Sequence, residues 1–238
     1  MDIVIVGLVG LVVGEVMRRR LNKLTYRLAP DEHEADETAR TAEVDEEVRT
    51  EEVDETALPS PGARWWCPAV LGIAWGCVGW RCPVVLPHGW PDIMDWIHLL
   101  GWLAFCAIGL WMAAIDLDVR RLPDRGQVIL AIVMVLCGVL ISWEEPIRLA
   151  YGLGAGLVCG LAFLLMHAMS RGGLGLGDVK LVMTCGWWLG LTWLTSVFAA
   201  LMISCVLAVA YSLLARQRQF AFGPWLVAGT LIAGLYLR

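Results

Sequence analysis

Eight apolar runs, separated by short polar breaks, occupy most of the chain. The first is Asp2–Met17, apolar except for Asp2 and Glu15 and followed by Arg18-Arg19-Arg20 and Lys23. The others cover Trp65–Pro87, Met94–Ile115, Gly126–Trp143, Ile147–Met169, Val179–Leu194, Thr195–Ala215 and Phe222–Leu237. Runs near the length that crosses a bilayer, about 17–25 apolar residues, read as transmembrane helices. The pattern therefore predicts an all-α, polytopic integral membrane protein with about eight transmembrane helices. The stretch after the first run differs in kind. It is acidic, carries repeated Glu-Val-Asp-Glu blocks and ends in Pro59-Ser60-Pro61-Gly62. Such a segment cannot bury enough apolar surface to offset its chain entropy. The expected organisation is a first helix with its basic exit over 1–27, a disordered acidic cytoplasmic linker over 28–64 and a membrane-embedded domain over 65–238.

Composition agrees with the pattern: 58% of residues are hydrophobic and only 17% charged, too few charges for a soluble domain of this length. The net charge of −5 says little about partners, because thirteen of the twenty-three acids fall between Asp31 and Glu55 and the remainder is mildly basic. The lipid bilayer is the expected partner, and no nucleic acid. The first run is not read as a signal peptide, since its basic cluster follows the apolar stretch and no small-residue cleavage site comes after it. Eight dispersed cysteines without a CxxC pair, and four dispersed histidines, argue against a metal centre. A cysteine in such a helix behaves as a small hydrophobe.

Charge placement sets the orientation. With an external N-terminus, eight spans put the basic clusters at 18–27, 120–125, 171–180 and 216–218 on the cytoplasmic side, with Arg40, Arg49 and Arg64 of the linker beside them. Fifteen of the eighteen Lys and Arg then lie inside, as the positive-inside rule requires. The same parity brings two polar loops, 116–125 and 171–180, to one face. Asp116 is the first polar residue after the third run, and Asp178 the last before the sixth. Two carboxylates held close at the lipid boundary cannot both ionise comfortably, so one keeps a proton while the other accepts one. That division suits a water-activating base and a carbonyl-polarising acid.

Asp118 and Asp124 compete with Asp116 for the role. On a continued helix Asp118 is rotated about 200° from Asp116 and faces elsewhere. Asp124 precedes Gly126-Gln127 and an apolar run, which suits an N-cap with Gln127 as its capping-box partner. Asp178 also opens a helix, after the glycine-rich Gly173-Leu174-Gly175-Leu176-Gly177. On the residues alone, a reacting pair and a helix-end charge plus a cap both stand.

Taken together, these residues resemble a known family. Gly175-Leu176-Gly177-Asp178, followed by Lys180-Leu181, resembles the GxGD motif of the type IV prepilin peptidases, which are membrane aspartic proteases. Asp116, eight residues before the aspartate of Leu122-Pro123-Asp124, resembles the family's other catalytic aspartate. Phe222-Gly223-Pro224 resembles the opening of its last helix, and Gly7–Leu28 its first helix and basic exit. The resemblance implies cleavage of prepilin or pseudopilin leader peptides at the cytoplasmic face of the bacterial plasma (inner) membrane, in a type IV pilus or protein secretion system. It makes Asp116 and Asp178 the catalytic pair. Gly175 and Gly177 would admit or position the scissile peptide, with Lys180 and Asp124 supporting the site.

One departure narrows this expectation. Bifunctional members of that family carry two CxxC pairs after the first helix, in a domain linked to N-methylation with S-adenosylmethionine. Here that position holds the acidic linker, which contains no cysteine. The expectation is a peptidase without methyltransferase activity, using neither zinc nor S-adenosylmethionine. Two rivals remain: a broader-specificity GxGD intramembrane protease, which would carry a Tyr-Asp pair where Ile115 precedes Asp116, and a carboxylate-dependent transporter, which would need acids near mid-membrane.

Overall fold

A computed structural model describes residues 2–27, 58, 61–62, 64–81, 93–169, 174–215 and 221–236. Among them the chain forms eight α-helices and no strand. In chain order they are α1 (Asp2–Leu21), α2 (Trp66–Arg81), α3 (Ile93–Val119), α4 (Asp124–Ile141), α5 (Ile147–Met169), α6 (Leu176–Gly190), α7 (Leu194–Ala215) and α8 (Gly223–Tyr236). Each falls on one of the apolar runs. Four of them, α3, α4, α5 and α7, are long and apolar enough to cross a membrane, and α8 is a shorter apolar helix. The acidic stretch 28–57 and residues 82–92 lie outside the described residues, as do 170–173 and 216–220.

Several ends differ from the pattern-based expectation for local reasons. The third helix runs on to Val119, so Asp116 and Asp118 are helical rather than in a loop. Arg120 then takes a left-handed conformation, φ 53°, with its N–H donating to Asp116 O at 2.9 Å. A residue in that region ends a helix and reverses the chain. The junction between the sixth and seventh runs, unmarked by any charge, is a three-residue turn at 191–193.

The helices pair mainly as neighbours, α1 on α2, α5 on α6 and α7 on α8, with α3 contacting α1, α2, α4 and α8. The α5–α6 seam is a close backbone approach. A Cβ on Gly186 would stand 3.0 Å from Ala155 O, and one on Gly190 would stand 2.9 Å from Tyr151 O. Small residues serve this purpose where lipid provides no hydrophobic drive between helices. Gly152, Gly156 and Gly160 line the seam, whereas Gly154 points to open space. α6 is buried along nearly its whole length, from Val179 through Gly190 on most faces. A helix apolar all round belongs in an interior. Its Trp188 stacks with His98 at 5.7 Å and meets Trp102 edge-on at 5.8 Å, locking α6 against α3. Trp187 Nε1 donates to Met134 O of α4 at 3.1 Å. The outcome is a rigid central helix with its N-terminus held at one end of the bundle.

Candidate active site

The C-terminal end of α3 and the N-termini of α4, α6 and α8 meet at one end of the bundle. Asp116 is buried there, only 5% exposed. Its Oδ2 accepts a hydrogen bond from Gly223 N–H at 3.1 Å, the first residue of α8. That amide is one of the donors a helix N-terminus leaves free, and the positive end of the helix favours a carboxylate. A side chain at position 223 would not fit, since its Cβ would stand 2.8 Å from Asp116 Oδ2 and 3.2 Å from Leu122 Cδ2. Gly-Pro therefore opens α8 with two residues of different use. Gly223 lets the backbone reach the carboxylate, and Pro224 carries no amide hydrogen at a position where none is needed.

Asp178 approaches from the other side. It lies in the first turn of α6, whose N-cap is Gly175 in an extended conformation with no side-chain cap. Asp178 N–H donates to Gly175 O at 3.1 Å, and its Oδ2 lies 3.5 Å from where a Cβ on Gly175 would stand. Its Oδ1 is buried and, among the described residues, accepts no hydrogen bond. Between the two helix starts, Leu122 fills the gap. Its side chain lies 3.0 Å from the place of a Cβ on Gly177 and, on its other flank, against Gly223. Gly177 and Gly223 are thus the two places where backbone presses on the same leucine. His167 Nδ1 donates to Leu174 O and ties the end of α5 to the glycine turn before α6.

Two supporting residues sit further out. Lys180 Nζ pairs with Asp124 Oδ1 at 2.5 Å, but both side chains are exposed, at 57% and 76%. Asp124 does not cap α4 as expected. Pro123 occupies the N-cap position, in an extended conformation, and Asp124 is already in the first helical turn, where its charge suits the helix dipole. Gln127 is no capping partner either: it is buried and faces Gly177.

Asp118 points away from Asp116, as the helical period requires, and enters a second cluster. Arg27 Nη2 donates to Asp118 Oδ1 at 2.9 Å and Arg27 Nε to Oδ2 at 3.1 Å, a two-pronged pair. Tyr26 OH donates to Oδ2 at 2.5 Å, and Arg64 Nη2 lies 3.3 Å from the same oxygen. Arg64 Nη1 donates to Leu21 O at 3.0 Å, closing the end of α1. The sequence reading placed Arg27 and Arg64 only as cytoplasmic charge and missed this cluster.

Residues 103–213 match the Type IV leader peptidase family. Over this stretch, a little under half of its length, the chain is similar to that family. Its match spans α3 from Leu103 through most of α7, and so includes both Asp116 and Asp178. Among curated proteins, the chain is similar to the prepilin leader peptidase/N-methyltransferase of Neisseria gonorrhoeae, at 31% identity over 68% of this chain and 54% of that one. It is also similar to the prepilin leader peptidase/N-methyltransferase of Bacillus subtilis (strain 168), at 28% identity over 59% of this chain and 57% of that one. The chain thus spans little more than half the length of the curated relatives it matches. No solved structure matches it.

Proposed function

We propose that this chain is a leader peptidase of that family, a membrane aspartic endopeptidase that removes the leader peptide of a prepilin or pseudopilin. The supporting observation is the arrangement of the two aspartates. Asp116, fixed by the Gly223 amide, and Asp178, at the start of α6, stand around Leu122 at one end of the bundle, since that leucine packs against both Gly223 and Gly177. No cation among the described residues bridges to Asp116, and the free Oδ1 of Asp178 is turned inward.

In this reading one carboxylate, ionised, takes a proton from water as the oxygen attacks the scissile carbonyl. The other, protonated, gives its proton to the carbonyl oxygen. Collapse of the tetrahedral intermediate returns a proton to the leaving amine, and the pair regains its single shared proton. The Gly223 N–H steadies the negative form of Asp116 without supplying a competing cation. The orientation proposed is an external N-terminus with eight spans and the aspartates at the cytoplasmic face of the inner membrane, because that arrangement gathers fifteen of eighteen basic residues inside. The proposal is confined to peptide hydrolysis, since the stretch between α1 and α2 holds none of the chain's cysteines.

Co-expression with a prepilin, scored by the mobility shift of leader removal, tests the reading. Asp116→Asn and Asp178→Asn should each leave the prepilin whole while the protein still accumulates in the membrane. Complete processing by either variant would overturn it.

A further inference from the structure

Resting on the peptidase reading, we infer that Gln127 binds the main chain of the substrate peptide beside the two aspartates. Gln127 is only 5% exposed, yet among the described residues neither its Nε2 nor its Oε1 has a hydrogen-bond partner. Buried side-chain amides are satisfied in the great majority of native structures, so an idle one has a reason. It stands in the stripe of α4 formed with Leu130, Met134 and Gly138, all buried. Every other residue of that stripe packs as an apolar group, and a leucine or methionine would have filled this place equally well.

Its position supplies the reason. Gln127 Nε2 lies 3.0 Å from where a Cβ on Gly177 would stand, one residue before Asp178. On the same spot Leu122 closes in at 3.0 Å, and Leu122 also flanks Gly223, the residue that holds Asp116. The amide is therefore seated where α4, the glycine turn and the aspartate pair converge. A carboxamide carries two N–H donors and one carbonyl acceptor. An extended peptide presents the complementary C=O and N–H at every residue, whatever its side chains. Gln127 thus suits a ligand recognised by its backbone, and unlike the aspartates it holds no charge to interfere with their shared proton.

The test uses the full chain and the prepilin substrate. Gln127→Leu removes both idle polar atoms at nearly constant volume, and Gln127→Met does so without a branch. Both should accumulate and unfold at or above the wild-type temperature, because an unsatisfied amide has been taken out of the interior. Both should raise KM about tenfold, the equivalent of one or two net hydrogen bonds, with kcat within about threefold. In the cleavage-dead Asp178→Asn background, capture of uncleaved prepilin should weaken by the same factor. Wild-type KM in both variants overturns the inference, as does a fall in kcat at constant KM. Failure of both to accumulate also overturns it, by making Gln127 part of the fold. A wild-type protein that leaves prepilin whole instead overturns the peptidase reading, and this inference with it.

Discussion

The two aspartates Asp116 and Asp118 are two residues apart on one helix, and their replacement should have opposite consequences. Asp118 lies between two guanidiniums beside an open cavity that it lines together with Arg64 and Trp65, with side-chain exposures of 6% for Asp118 and 4% each for Arg27 and Arg64. Asp118→Ala removes the acceptor of both Arg27 donors and of Tyr26 OH, and leaves two like charges facing each other. Breaking a buried pair by deleting one partner costs about 3–5 kcal/mol. For a chain of this size each kcal/mol moves the midpoint by about 2–4 °C. The expected fall in Tm is therefore on the order of 10 °C, read by thermal unfolding of the purified protein in detergent. Asp118→Asn keeps an acceptor but not the charge and should fall between Asp118→Ala and wild type. Asp116→Asn keeps an acceptor for Gly223 N–H and breaks no ion pair, so its Tm should stay within about 3 °C of wild type while cleavage is lost.

A control separates charge from shape. Replacing Arg27, Arg64 and Asp118 together by Met, Met and Leu removes all three charges, and apolar substitution of a buried ionic cluster is often neutral or stabilising. That triple variant should recover most of the Tm lost in Asp118→Ala. An Asp118→Ala protein that melts within about 2 °C of wild type would refute the account, because it would mean that water reaches the cluster and screens it.

Two further variants probe the site. Gly223→Ala places a Cβ 2.8 Å from Asp116 Oδ2, which must move away and lose the amide bond, so prepilin processing should drop at least about tenfold in a time course while the protein accumulates normally. Lys180→Ala breaks an exposed pair worth about 0–1 kcal/mol, so neither Tm nor processing rate should change by more than about twofold or 3 °C, and a larger loss of rate would place Lys180 in contact with the reaction.

Much of the fold was legible because lipid imposes a simple rule. Apolar runs must be helices, and each of the eight runs holds one. Helical period also tells Asp118 from Asp116 in the sequence alone, since two residues along a helix is more than half a turn. The misreadings share a cause. Asp124 followed by Gln127 satisfied a local capping pattern, but Pro123 already provided the extended residue that begins α4, and Gln127 was free to turn inward. Arg27 and Arg64 satisfied the positive-inside rule, so nothing in the sequence called for a partner, although the chain brings them together from either side of the acidic stretch. In both cases a polar residue at the membrane edge had a sufficient one-dimensional explanation. Only packing distinguishes a charge that reports topology from one that is buried and paired. One sign was nevertheless in the pattern: Gln127 shares its helical face with Leu130 and Met134, and a polar residue on an apolar face has no topological purpose to serve. The same test applied to Asp118 would have failed, because the buried and lipid-facing sides of α3 are both apolar up to its last turn. A buried cation pair at a helix end is thus visible only once the neighbouring chain ends are in place.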